Sequence, residues 1–119
     1  MPYWMISFDL KEGRMSEYQS FLKSDEARKM FDKLEKATGF KYVQTYFSII
    51  PTFGDYDCYE IWEFPDLAAF DKARETNAFE ELFRRTYDMT DTTAAARGKS
   101  VLLRTATDVK IIYEPPTKP

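Results

Sequence analysis

The stretch YWMISFDL, Tyr3 to Leu10, places Trp4, Ile6, Phe8 and Leu10 on one side and Tyr3, Met5, Ser7 and Asp9 on the other. A period of two sustained over eight residues predicts a β-strand, which Gly13 closes. Met15, Tyr18, Phe21, Leu22, Phe31 and Leu34 then recur at spacings of three, four and their sums, the stripe of an amphipathic helix. The stripe lapses at Ser24 and Glu26, so two helical pieces are expected, ended by Gly39 as a left-handed cap. FKYVQTYFSII, Phe40 to Ile50, is β-branched and aromatic and predicts a second strand. After the loop PTFGDYD, the stretch YDCYEIWEF (Tyr56 to Phe64) predicts a third. Pro65 and Asp66 open a helix with Leu67, Phe70 and Ala73; Asn77 with Glu80 reads as a capping box for another carrying Phe79, Leu82, Phe83 and Tyr87. DMTDTTAAARG is a polar loop. KSVLLRTATDVKIIYE holds one or two strands, and PPTKP is a tail.

The order β-α-β-β-α-β implies an α+β, ferredoxin-like split βαβ fold: one antiparallel sheet with the helices on one face. A single domain is expected over residues 1–114, with 115–119 as tail. Trp4, Ile6, Phe8 and Leu10, with Val43, Phe47, Tyr59 and Ile61, are assigned to the helix side. Tyr3, Met5, Tyr42, Tyr46, Cys58 and Trp62, mixed with Ser7, Asp9, Gln44, Ser48 and Glu60, fall on the other. An aromatic surface of that extent calls for a partner, and a second copy in a two-fold dimer is the economical one. The register of the second strand matters here, since a slip of one residue exchanges its faces. Val109, Ile111, Ile112 and Tyr113 predict a C-terminal strand, possible against a sheet edge of the other subunit.

Composition narrows the chemistry. The chain has 119 residues, 44% hydrophobic and 31% charged, with a net charge of −3. That is the balance of one soluble globular domain. There is no basic stripe for nucleic acid and no apolar run of membrane-spanning length; a cytoplasmic protein is expected. Histidine is absent and Cys58 is the single cysteine. An internal disulfide, a thiolate zinc cluster and a histidine-ligated haem are therefore excluded, and no carboxylate cluster has metal-site spacing.

The remaining candidates are carboxylates and tyrosines. Glu60 and Asp9, on neighbouring strands, are the candidate proton-transfer pair, because burial can tune a carboxylate into a general acid or base. The structural alternative is that Glu60 pairs with a cation, Arg104 or Lys110. Trp62, Tyr3, Tyr42, Tyr46, Gln44 and Arg104 are candidate ligand-binding residues, and the aromatic ones serve equally as interface packing. Cys58 has nothing histidine-like to activate it. RGKS, Arg97 to Ser100, has Thr93 where a phosphate-binding loop requires glycine.

Element order and the stretch YEIWEFPDLAAFDKARETNAFEELF together resemble the dimeric α+β barrel superfamily, which includes antibiotic-biosynthesis-type monooxygenases and EthD-like, NIPSNAP-like and muconolactone-isomerase-like proteins. The resemblance covers Tyr3 to about Tyr113. It implies a homodimer with a cavity for a small hydrophobic or aromatic compound, without nucleic-acid or membrane partners. A cofactor-independent monooxygenase or isomerase is the implied enzyme, with no bound cofactor or metal; a non-catalytic ligand-binding or assembly module with a packed seam is the alternative. Many enzymatic relatives carry a histidine in the second helix or facing the cavity, and DLAAFDKARETN has none.

Overall fold

A computed structural model describes residues 2–49, 56–91 and 98–103. Its elements are β1 (Tyr3–Phe8), α1 (Met15–Leu22), α2 (Asp25–Thr38), β2 (Lys41–Phe47), β3 (Cys58–Glu63), α3 (Leu67–Ala73), α4 (Asn77–Tyr87) and β4 (Lys99–Leu103). The strands form one antiparallel sheet in the order β2-β3-β1-β4. This is the split βαβ arrangement expected from the sequence, an α+β ferredoxin-like fold. The predicted strand beyond Leu103, together with Arg104 and Lys110, lies outside the described residues.

Local chemistry sets the helix ends. Ser24 is the N-cap of α2: its hydroxyl accepts from the Ala27 amide at 3.1 Å, which interrupts the stripe between α1 and α2 as anticipated. Gly39 ends α2 at φ 82°, and a Cβ there would come within 2.6 Å of Pro65 Cγ. Both the left-handed backbone and this close approach of α2 to the turn after β3 require glycine. Asp66 caps α3 through the Ala69 amide at 2.7 Å. At α4 the expectation is corrected: Thr76, not Asn77, is the cap, accepting from the Phe79 amide at 3.3 Å.

Strand faces hold the larger correction. Trp4, Ile6 and Phe8 face the helices as predicted. Their partners on β3, however, are Trp62, Glu60 and Cys58, and residues directly opposite in a ladder share a face. Cys58, Glu60 and Trp62 are all buried, packed with Tyr18, Phe21 and Ala27 at one end and Leu34, Ala73 and Ala78 at the other. Tyr59 and Ile61 therefore take the uncovered side. On β2 the pairing shifts between Tyr42 and Gln44. That bulge puts one extra residue in the strand, so Tyr42, Thr45 and Phe47 all turn inward while Val43 is 42% exposed. No strictly alternating reading of KYVQTYF reproduces this.

The inner face thus has three rows: Trp4–Trp62–Tyr42, Ile6–Glu60–Thr45 and Phe8–Cys58–Phe47. The outer face carries Tyr3, Met5, Tyr59, Ile61, Gln44, Tyr46, Val101 and Leu103. Tyr46 is 58% exposed and Val101 41%. No described element covers them. No helix among the described residues is long and apolar enough to cross a membrane.

Candidate functional site

Glu60 is the only acid of the inner sheet rows, and it is 6% exposed. Burying a carboxylate is costly unless donors replace its hydration. Three do so here. Tyr18 donates to Oε1 at 2.6 Å from α1, Thr45 donates to the same oxygen at 2.8 Å from β2, and the Trp62 indole N–H donates to Oε2 at 2.9 Å from β3. All three donors are uncharged. Charge-assisted bonds of this kind contribute about 1.5–3 kcal/mol each. Oε1 accepts two of these bonds, while Oε2 accepts one and has a lone pair that no described residue fills. Thr45 has a single hydroxyl proton, committed to Glu60, so the 2.6 Å contact between Tyr42 and Thr45 has Tyr42 as its donor. The result is an ordered chain: Tyr42 donates to Thr45, and Thr45 donates to Glu60.

Two adjoining hollows lie against this carboxylate. A deep chamber of about 110 Å³ is walled by aromatic and aliphatic side chains, including Trp4, Phe31, Trp62, Phe79 and Leu82. An outer hollow of about 490 Å³ lies towards Tyr87, Thr90, Gly98 and Ser100. Ile6, Tyr18, Glu60, Phe83 and Thr86 belong to both walls. Gly98 sits at the outer rim because nothing larger fits: a Cβ there would come within 2.1 Å of the Ser7 carbonyl oxygen. The Trp4 indole N–H is buried without a hydrogen-bond partner among the described residues, and perpendicular Phe40 and Phe70 rings flank it.

The electrostatics keep the neighbours protonated. Burial, reinforced by the charge of Glu60, raises the Tyr18 hydroxyl far above the usual tyrosine range. Burial likewise raises Tyr42. Cys58 is pushed well up by burial and then by the charges of Glu60, Asp57 and Asp9, which leaves a thiol and not a nucleophilic thiolate. Because folding holds the Tyr18 proton that the unfolded chain releases, Tyr18 stabilises the fold fully below the unfolded value of about 10, and that contribution is lost as pH rises beyond it. Urea unfolding across the alkaline range is expected to show this fall, and Tyr18→Phe to make it shallower. An unchanged slope would remove Tyr18 as its source.

The sequence-predicted residues are thus divided. Glu60, Trp62 and Tyr42 come together, on the helix side of the sheet and not on the side assigned from alternation. Asp9 is apart from them, at the end of β1: its Oδ1 accepts from the Asp57 amide at 3.0 Å, and Asp57 Oδ2 accepts from the Leu10 amide at 3.0 Å. This reciprocal pair joins β1 to β3. Tyr3, Gln44 and Tyr46 lie on the outer face. Tyr18 and Thr45 join the site only through the structure. Tyr18 has a signal, as the one hydroxyl-bearing residue on the apolar stripe of α1; Thr45 has none, because the bulge alone turns it inward. Among the described residues no group of carboxylates or thiols could hold a metal ion.

No protein-family model and no curated protein matches the chain. Solved structures do. A NIPSNAP family protein of unknown function from Agrobacterium tumefaciens aligns with a TM-score of 0.62 at 19% identity, over 89% of this chain and 88% of that one. A DABB family protein with a ferredoxin-like fold from Mesorhizobium loti gives 0.60 at 20% identity, over 87% and 95%. A candidate antibiotic biosynthesis monooxygenase from Nitrosomonas europaea gives 0.59 at 10% identity, over 89% and 99%. Identities this low speak for the fold. The chain has the ferredoxin-like α+β architecture of the NIPSNAP, DABB and antibiotic-biosynthesis-monooxygenase proteins, the one its sequence resembles.

Proposed function

We propose that this chain binds a small, flat, hydrophobic compound in the chamber between the sheet and helices α1, α2 and α4, and that Glu60 accepts a proton from it. The observation that carries this reading is a buried carboxylate with only neutral donors among its described partners, one lone pair that none of them fills, and an apolar chamber beside it. Such a carboxylate favours a ligand that brings an O–H, N–H or acidic C–H and disfavours an anionic one. Isomerisation through an enol and cofactor-independent oxygenation both begin with this proton removal. Once Glu60 is protonated, the Tyr18 hydroxyl is free to turn towards the ligand anion. The fold is shared with the candidate antibiotic biosynthesis monooxygenase of Nitrosomonas europaea, and the lack of histidine leaves the acid–base work to Glu60 and Tyr18.

The test uses three matched probes and titration calorimetry. 2-Naphthol is expected to bind at least about tenfold more tightly than 2-methoxynaphthalene, the equivalent of one hydrogen bond to a charged group. 2-Naphthoate is expected to bind worst, and Glu60→Gln to erase the ranking. Equal binding of all three, or none, would overturn the reading. A second reading, a ligand-binding or assembly module without catalysis, is favoured by the small volume of the deep chamber; a ligand-binding module predicts the same ranking without turnover, and an assembly module predicts no naphthol binding.

The outer face supports a homodimer as part of the proposal. Met5, Ile61, Val101 and Leu103 form an apolar strip across β3, β1 and β4 on a sheet face that no described element covers, the kind of surface a second copy would cover. Light scattering at micromolar concentration is expected to give twice the 14.0 kDa chain mass, and Ile61→Lys to shift it towards one chain. A monomeric wild-type protein would leave this face without the proposed role.

A further inference from the structure

The hydrogen-bond chain on Glu60 does not end at the chamber. Thr45 is bonded to Oε1 and not to Oε2, the oxygen with a single described donor. Beyond it Tyr42, whose ring stacks on Phe31 with centroids 4.6 Å apart, lines a different hollow. That groove, about 450 Å³ between α2 and β2, also touches Leu22, Ser24, Arg28, Glu35 and Lys41, and none of these five belongs to the walls of the chamber or its outer hollow. The same carboxylate therefore touches the apolar chamber directly and a polar, charged groove through two hydroxyls.

A ligand that fills both the chamber and the outer hollow, which Glu60 and Tyr18 line together, would exclude water from Glu60. A carboxylate that has taken a proton then needs another exit before it can act again; the Tyr18 hydroxyl on Oε1 faces the same ligand-filled hollows, and the hydroxyl chain that leads elsewhere among the described residues runs through Thr45. Resting on the reading that Glu60 takes a proton from the ligand, we infer that Thr45 and Tyr42 are a proton relay connecting Glu60 to solvent in the α2–β2 groove. In the ground state both hydroxyls point towards Glu60, the orientation that delivers protons inward. Hydroxyls are rotors, and turning both about their C–O bonds makes the chain run outward. The protonated carboxyl turns about its Cγ–Cδ bond, which carries the proton from the oxygen that met the ligand to the side of Thr45; Glu60 then gives it to Thr45 Oγ1, Thr45 gives its own to Tyr42 Oη, and Tyr42 gives its own to water in the groove. One proton enters from the ligand and one leaves to solvent, with every hydroxyl restored. The bulge in β2 has a use on this account, since it is what brings Tyr42 and Thr45 to the same face.

Tyr42 and Thr45 are positioning residues in this scheme, acting only through Glu60, and the test must move with proton traffic and not with structure alone. 2-Naphthol becomes a strong acid when excited, and it can be excited beyond the tryptophan absorption band. In the wild-type protein, light is expected to transfer its proton to Glu60 and the relay to carry that proton away, leaving a long-lived naphtholate emission. Tyr42→Phe leaves the Thr45–Glu60 bond in place but cuts the relay at its outer end. The proton should then stay on Glu60 and return, shortening the naphtholate emission several-fold with little change in naphthol affinity. Thr45→Val should shorten it as much, and Thr45→Ser should restore it. Naphthol bound with identical emission decay in wild type and Tyr42→Phe would overturn the relay and leave the binding site standing. Failure of naphthol to bind at all would overturn both, and calorimetry separates the two outcomes.

Discussion

Replacing Trp62 by alanine is expected to destabilise the protein by about 3–5 kcal/mol, the range for deleting a large aromatic side chain from a packed core. Trp62 is 2% exposed. Its ring meets Phe31 edge-on with centroids 5.1 Å apart and Tyr42 edge-on at 5.3 Å, and it shares its cluster with Leu34, Phe40 and Phe64. Deletion leaves a cavity in the middle of the sheet's inner face and also strips Glu60 Oε2 of its indole donor. Trp62→Phe separates the two losses: it keeps most of the aromatic volume and removes only the donor, so about 1–3 kcal/mol is expected. Urea denaturation read by circular dichroism measures both. An alanine variant losing under about 1 kcal/mol would show that Trp62 is not the inward residue of β3, since surface substitutions fall in that range.

The fold was legible because its signals are local. Alternation in YWMISFDL, the lapse at Ser24 and the glycine at position 39 each act within a few residues, and the structure has a strand, a helix cap and a left-handed turn at these places. The faces of β3 were not legible for a reason of the opposite kind. Period two divides YDCYEIWEF into two sets but does not say which set meets the helices. Assigning the glutamate to the less covered side follows the usual cost of burying charge. What reverses that assignment is three donors brought from three other places in the chain: Tyr18 from a helix 42 residues away in sequence, Thr45 from a strand 15 away, and Trp62 two residues on. The bulge at Tyr42 and Gln44 has no glycine to announce it, and without it Thr45 would point outward and Glu60 would lack one of its bonds. The candidate site was therefore half readable. Glu60, Trp62 and Tyr42 were named, while their common location and the hydroxyls joining them depend on tertiary contacts.

Glu60→Leu is the second large effect expected. The substitution keeps the volume and removes the acceptor for three buried donors. Thr45 can turn its hydroxyl to Tyr42, and Tyr18, which lines the open hollow, can take a water; the Trp62 N–H has neither recourse. An unsatisfied buried donor costs about 1–3 kcal/mol, so a loss of about 2–4 kcal/mol is expected after that partial rescue. Glu60→Gln should be milder, about 1 kcal/mol. Its amide oxygen can serve Trp62 while its NH2 donates to the oxygens of Tyr18 and Thr45. This ordering discriminates the neutral-donor site from the cation-paired alternative, because a neutral amide beside a buried arginine strands the positive charge and costs about 3–5 kcal/mol. A double-mutant cycle sharpens the point. Tyr18→Phe removes one of the donors that Glu60→Leu orphans, so the pair together should cost less than the sum by about 1 kcal/mol or more. Strict additivity, or a Gln variant as damaged as the Leu variant, would mean that Glu60 is held by something other than Tyr18, Thr45 and Trp62, and the acid–base reading of the chamber would go with it.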